Sequence, residues 1–304
     1  MKEPVPRVSI GVPVYNDAAY LHGALDALLN QSYTDIEIII SDNGSTDETR
    51  AICEEYAQRD TRVRYFCESQ NRGASWNFNR VFELARGELF KWAAADDLCA
   101  PTFIERCVEV MDHEASVICC HARTMHIDSM GRPLDHLPDP TMDTLRFSGR
   151  KLDASSHRVS RRFLAVLLGS GWSARSAGVF RVNALQSTDL IQPYYGWEKV
   201  LMAELSLMGR FHDLPDILFF QRIHKKSSSS LNSLIDQNQF MNPFATNQLS
   251  FPRLKLLQGY LSIIWKHPLP FSTRLLCHIC ICRYLLQFSK WPGIFTRFLR
   301  GTGI

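Results

Sequence analysis

No stretch of this 304-residue chain stays apolar over the ~20 residues a membrane-spanning helix needs. The N-terminus, MKEPVPRVSIGV, lacks an apolar core of signal-peptide length and enters a β-rich run at once, so no leader is expected. From Gln237 to Ile304 there is no Asp or Glu, against eight Lys and Arg. The remaining 26 basic residues face 31 acidic ones in residues 1–236, a net of −5. A mildly acidic body thus carries a wholly basic tail. The nine cysteines lack metal-ligand spacing: Cys119 and Cys120 are adjacent, and Cys277-x-x-Cys280 has no second pair to complete a zinc or redox site. Reduced thiols in a cytosolic compartment fit this usage. No internal repeat is found, and the hydrophobic share of 45% is that of an ordinary folded protein.

What is present is an alternation. Val8 to Val14 is β-rich and ends at Pro13-Val14-Tyr15-Asn16; Asp17 then caps a helix with Leu21, Leu25, Leu28 and Leu29 at helical spacing. Ile36 to Ile40 is a β-branched run without polar alternation, as expected when both faces are covered, and it ends in Ser41-Asp42-Asn43-Gly44-Ser45-Thr46-Asp47. Val63 to Cys67 is a third strand. Asn71-Arg72-Gly73 opens a helix for which Gly87 serves as C-cap. Leu89 to Ala95 is the fourth strand and runs into Asp96, Asp97 and Pro101, the last suited to a first helical position. Four strand–helix alternations with polar turns predict an α/β fold with a mostly parallel sheet and right-handed crossovers. Its strand ends form the edge where such sheets bind ligands. Two adjacent carboxylates repel each other there, so solvent, a base or a divalent cation must compensate, unless they only cap the next helix.

Later elements are shorter. Val117 to His126 is a strand, and Gly131 to Arg162 an aperiodic excursion. Phe163 to Gly169 resumes apolar order, Gly178 to Arg181 is a short strand, and Trp197 to Met208 is an amphipathic helix ending at Gly209. Ile217 to Phe220 is a last strand before Gln221-Arg222-Ile223-His224, and KKSSSS follows at residues 225–230.

Pro13-x-Tyr15-Asn16, Asp42-Asn43-Gly44-Ser45-Thr46-Asp47, Asn71-x-Gly73 and Ala95-Asp96-Asp97 with Pro101 occur in this order at strand ends. With Trp197-Glu198 and Arg222-x-His224, the set resembles family 2 glycosyltransferases, inverting nucleotide-sugar enzymes of the GT-A (Rossmann-like) fold. The resemblance covers roughly residues 7 to 226. It implies a nucleoside-diphosphate sugar donor, UDP-type favoured, and a glycan or glycolipid acceptor. Asp42 would meet the imide of the base, with Pro13 and Tyr15 flanking its ring; the alternative for Asp42 is a helix cap. Asn16 is placed with the donor-binding set or is a turn residue, and Arg72 approaches the base or diphosphate. Asp96 falls to the ribose, and Asp97 to a Mn²⁺ or Mg²⁺ ion with His224 beside it, while His224 could equally be a surface residue next to a loop. Glu198 stands where the family carries its catalytic Asp and would be the base for the acceptor hydroxyl; the alternative is a residue suited to a helix N-terminus. Three positions depart from the family: Ala94 for an Asp, Glu198 for an Asp, and Phe78 for a frequent Arg.

The implied division is residues 1–128 for the nucleotide sugar, 129–230 for acceptor and catalysis within the same domain, and 231–304 as a basic, apolar, helical C-terminal region. Leu254 to Trp265 and Leu275 to Phe288 are apolar segments bordered by Lys266, Arg274, Arg283, Lys290, Trp265 and Trp291. Their pattern suits either a membrane surface, through residues 251–304, or packing on the catalytic body or a second subunit, as in a homo-oligomer. Nucleic acid is not an expected partner, since the charges are interleaved with large aliphatics. The expected setting is cytoplasmic, peripheral on the inner face of the membrane, in bacterial surface polysaccharide or glycolipid assembly. Two other readings are a sugar-1-phosphate nucleotidyltransferase, which would need a glycine-rich basic loop after the first strand, and a non-catalytic glycan-binding module.

Overall fold

A computed structural model describes residues 5–135, 146–147, 150–151, 153–169, 172–225, 227, 231, 233–244 and 252–286. Strands β1 (Val8–Val14), β2 (Ile36–Asp42), β3 (Val63–Cys67) and β4 (Leu89–Trp92) alternate with helices α1 (Ala18–Leu29), α2 (Thr49–Arg59) and α3 (Ala74–Glu83), as expected. The strands pair in parallel in the order β3-β2-β1-β4. The register sets Val14 opposite Asp42 and Asp42 opposite Cys67, so the first three strands end level.

The sheet has eight strands in the order β3-β2-β1-β4-β9-β6-β10-β5. Here β5 is Leu98–Cys99, β6 Val117–Ile127, β9 Val179–Arg181 and β10 Arg210–Arg222, while β7 (Arg146–Phe147) and β8 (Arg150–Lys151) form a separate two-stranded ribbon. Strand β9 runs antiparallel between β4 and β6, and β5 pairs antiparallel with β10. The sheet is therefore mostly parallel, with two short reversed strands.

Helix α4 (Phe103–His113) covers one sheet face with α1 and α2, over a core including Ile10, Val12, Ile38, Ile40 and Phe103. The other face carries α3, α5 (Val159–Leu168), α6 (Trp172–Arg175), α7 (Val182–Gln186) and α8 (Trp197–Met208), around Phe90, Trp92, Phe163 and Phe180. After α9 (Leu234–Met241), α10 (Pro252–Lys266) packs on α8, and α11 (Phe271–Leu285) packs on α5 and α10. The C-terminal helices are thus an appendage seated on the helices that cover the sheet. None of the helices among the described residues is long and apolar enough to cross a membrane.

Several local expectations need correction. Helix α3 ends at Glu83 with Leu84 as C-cap, so Gly87 does not cap it. Gly87 sits where the chain brushes β1, and a Cβ there would lie 2.9 Å from Ser9 N and 3.0 Å from Arg7 O. Pro101 lies in a turn and α4 begins at Phe103, because Leu98 and Cys99 are drawn into edge pairing with β10. Strand β4 stops at Trp92, short of Ala95, and the final parallel strand starts at Arg210, well before Ile217. Asp17 occupies the N-cap position of α1 but makes no capping hydrogen bond from its side chain. Residues 136–145 of the excursion, 226 and 228–230 of KKSSSS, and the tail from 287, with Lys290 and Trp291, lie outside the described residues.

Candidate active site

The level ends of β1 and β2 are stitched by buried amides. Asn43 donates its backbone N–H to Val14 O at 3.0 Å, and its side chain bonds Asn71 Oδ1, Gly73 O and the Arg72 N–H. Asn77, from α3, donates to both Val14 O and Ser41 O. Asp42 is fully buried between them: Oδ1 accepts from Ser45 N at 2.8 Å and Oδ2 from the Tyr65 hydroxyl at 3.0 Å. Its carboxylate therefore braces its own turn and strand β3, while α2 starts later, with Glu48 at its N-cap. Gly44 turns the chain at φ +77°, where a Cβ would meet the Gln70 backbone at 2.8 Å. Asn16 adopts φ 55°, a left-handed conformation that Asn tolerates, and its Oδ1 accepts from Thr46 N at 2.8 Å, joining the two turns. Pro13 is buried within β1, whereas Tyr15 beyond it is exposed. Arg72 is exposed and lies over the Trp76 ring at 4.2 Å.

The acidic pair lies beyond β4, and the end of β10 closes on it. Arg222 donates its backbone N–H to Asp97 Oδ1 at 2.9 Å, and its Nε to Asp96 O at 2.8 Å. Its Nη1 bonds the Asp128 and Ser129 carbonyls, and its guanidinium covers the Tyr20 ring at 4.8 Å. His224 Nε2 sits 2.9 Å from Asp96 Oδ2, with its ring 4.8 Å from that of Tyr20. The structure thus brings together Asp96, Asp97 and His224, and it pairs the imidazole with Asp96 rather than Asp97. Burial, followed by the charge of Asp96, raises the Asp97 carboxyl well above the usual carboxylate range.

Two participants are not among the expected site residues. Arg222 organises the acidic pair; its place two residues before His224 is the signal that points to it. Asp17 looks in the sequence like a cap alone, yet burial and the charges of Asp96 and Asp47 push its carboxyl up to about 6. Where Ala94 offers no acid, the β1–α1 turn thus supplies a third carboxylate near Asp96. The signal is an acid at a strand end, as at Asp42.

Among the described residues no three His, Cys, Asp or Glu side chains converge as a ligand set for a metal ion. The donor chemistry still suits Mg²⁺ or Mn²⁺, which are commonly held by one or two carboxylates plus phosphate oxygens and water. The charge of Asp96 raises both the Asp17 and the Asp97 carboxyl, a like-charge repulsion that a cation would relieve.

Glu198 stands in the first turn of α8, and burial raises its carboxyl. The helix start is anchored by Trp197, whose ring lies 6.4 Å from that of Trp92 and 6.2 Å from that of Phe78. Trp92 is fixed in turn by its indole N–H bond to Phe78 O. Phe78 thus has a packing role against Trp197 and Trp92. Glu204, further along, is buried, and Lys266 and His267 both approach its Oε1 at 2.9 Å, tying α8 to the end of α10. A cavity of about 360 Å³ opens between α8, α10 and the 189–194 segment, bordered by Gln192, Tyr194, Trp197 and Glu204. It adjoins the helix that carries Glu198, not the strand ends.

The family model described as Glycosyl transferase family 2 matches residues 9–162. The chain belongs to this family. Over 127 residues it is 35% identical to the chondroitin synthase of Escherichia coli, covering 42% of this chain and 18% of that protein. It spans no more than 45% of five further curated relatives. Among solved structures, S. aureus TarS 1-349 in complex with UDP-GlcNAc superposes with a TM-score of 0.59 at 15% identity, over 88% of this chain and 69% of that one. The mannosyltransferase PcManGT from Pyrobaculum calidifontis, in complex with GDP-Man and Mn²⁺, gives 0.53 at 15% identity, over 94% and 79%. At these identities the superpositions establish the GT-A fold.

Proposed function

We propose that this chain is an inverting, metal-dependent glycosyltransferase that moves a sugar from a nucleoside-diphosphate donor, UDP-type favoured, to a hydroxyl of a glycan or glycolipid. The observation that carries this reading is the closure of Arg222 and His224 on Asp96 and Asp97, at the same sheet edge as Asp42 and Tyr15. The chain belongs to glycosyl transferase family 2, and structural neighbours hold UDP-GlcNAc and GDP-Man, with Mn²⁺ in one of them. Residues 1–128 then hold the nucleotide and 129–230 the acceptor and catalytic groups. The setting we infer is bacterial surface-polysaccharide or glycolipid assembly, on the cytoplasmic side of the membrane.

In this mechanism Tyr15 offers an exposed ring to the base, and Asp42, fully buried with its two oxygens held by Ser45 and Tyr65, would meet the base only by releasing one of those bonds. Asn16 fixes the facing turn, and exposed Arg72 can reach the diphosphate. Asp96 meets the ribose and orients His224. Asp97, with His224, would hold the divalent ion, which neutralises the charge developing on the departing diphosphate. Glu198 takes the proton of the acceptor hydroxyl as its oxygen bonds to the anomeric carbon. The bond from that carbon to the diphosphate breaks, and the nucleoside diphosphate leaves from the opposite side. Burial keeps Glu198 a better proton acceptor than a solvated carboxylate.

Donor turnover without acceptor tests the reading in the wild type, Asp97→Ala and Glu198→Gln. The wild type should release nucleoside diphosphate from at least one UDP-sugar when Mn²⁺ is present. Asp97→Ala should abolish release, and Glu198→Gln should bind donor but fail in transfer. A wild type that neither binds nor cleaves any nucleotide sugar overturns the enzymatic reading.

A further inference from the structure

Surface helices normally turn a polar face to water, and a helix that is apolar all round is normally buried. Helix α11 breaks this pattern. Its inner face, with Cys277, Cys280, Ile281 and Tyr284, is buried on the body. Its outer face is also apolar: Phe271 is 80% exposed, Leu275 53%, Ile279 45% and Leu286 61%. These four recur at helical spacing along the whole helix, with Leu276 and Leu285 exposed beside them. On α10, Leu261 and Trp265 are likewise exposed, and Trp265 meets α11 through the His278 ring at 5.7 Å and the Arg274 guanidinium at 4.9 Å. A continuous apolar strip is therefore open to water, with a tryptophan at its margin.

We propose that this outward face of α11, with the exposed side of α10 next to it, docks on an anionic lipid surface. Charge selects that occupant. Neither helix contains an acidic residue, nor does any position from Gln237 to Ile304, where eight Lys and Arg stand. Arg283 is exposed on α11, and Lys255 is exposed on α10. On the two helices the strip is flanked by cations and no acid, Lys266 at the end of α10 pairing with Asp189 of the body, and such a strip matches acyl chains beneath negative headgroups. A second copy of the chain matches it poorly: a two-fold interface sets each patch against itself, so Arg283 and Arg274 would face their own kind with no acid on either helix. With 15 residues, α11 is about 22 Å long, too short to span a bilayer, so it would lie along the surface. The docking face does not depend on the assignment of the active site, and its test has no catalytic readout.

The test is sedimentation of the full chain with phosphatidylcholine vesicles, with and without phosphatidylglycerol, at low and high salt. The wild type should bind the phosphatidylglycerol vesicles about tenfold or more tightly than the neutral ones, and less tightly in high salt. The double variant Leu275→Ser/Ile279→Ser, altered only at exposed positions, should melt like the wild type and bind about tenfold or more weakly. Arg283→Glu should weaken binding several-fold on the anionic vesicles alone. If the wild type stays in the supernatant, or the double variant binds as the wild type does, the proposal fails. Wild-type dimerisation that the double variant abolishes, without vesicle binding, would assign the face to a second copy and also overturn it.

Discussion

The Asp97 carboxylate accepts a hydrogen bond from the Arg222 backbone N–H at 2.9 Å across 125 residues of sequence. The same arginine returns its guanidinium to the Asp96, Asp128 and Ser129 carbonyls. One residue at the end of β10 therefore holds both halves of the sheet edge against the acidic pair.

Arg222→Ala should leave those three carbonyls without their donor while keeping the backbone bond to Asp97. About 1–3 kcal/mol of stability should be lost, with a weaker hold on nucleotide. Thermal melting and nucleotide titration on the same preparation check this. Unchanged melting would show that water replaces the guanidinium without loss.

Asp17 predicts a pH effect of defined sign. Its native carboxyl, pushed up to about 6 mainly by burial, holds a proton more tightly than in the unfolded chain. That contribution to stability is present below the ordinary carboxylate range and is lost as pH rises through about 6. Asp17→Asn keeps an oxygen for the Tyr15 N–H and carries no charge. Without added metal, it should melt higher than the wild type above pH 6 and nearly together with it at about pH 4.

Glu198→Gln should lower transfer by about 10²- to 10⁴-fold with little change in donor affinity. Glu198→Asp, which restores the residue type common in the family, should keep a measurable part of the activity. Because burial raises the carboxyl, the rising limb of the wild-type pH–rate profile should lie above the usual glutamate range. A Gln variant with full activity would move the base to another residue.

Gly44→Ala forces a side chain onto a left-handed backbone position against the Gln70 main chain. The strain should cost about 1–3 kcal/mol and disturb the Ser45 bond that braces Asp42. A lower denaturant midpoint together with weaker nucleotide binding would match. Loss of stability alone would separate Asp42 from the donor.

Much of the sheet edge is legible in the sequence because β-branched runs break off at polar turns. That pattern alone locates Asp42, Asn43, Asp96 and Asp97. Strands β5 and β9 are harder to read: two or three residues carry no periodicity, and their partners on β10, β4 and β6 make them strands. Asp17 is hidden because an acid before a helix has an ordinary local explanation, while the burial and facing charges that set it apart are tertiary. The outward face of α11 is half legible. Composition shows apolar segments with basic borders, but only packing shows that one apolar face is covered and the other left open.

In the proposed mechanism Asp97 brings a divalent ion and a nucleotide to the end of β4. Calorimetric titration of UDP into the wild type and Asp97→Asn, each with and without Mn²⁺, tests it most directly. The wild type should bind UDP at least about tenfold more tightly with Mn²⁺, and the variant should lose that gain while keeping its metal-free affinity. Equal binding by wild type and variant with Mn²⁺ present, or no binding by either, would contradict it.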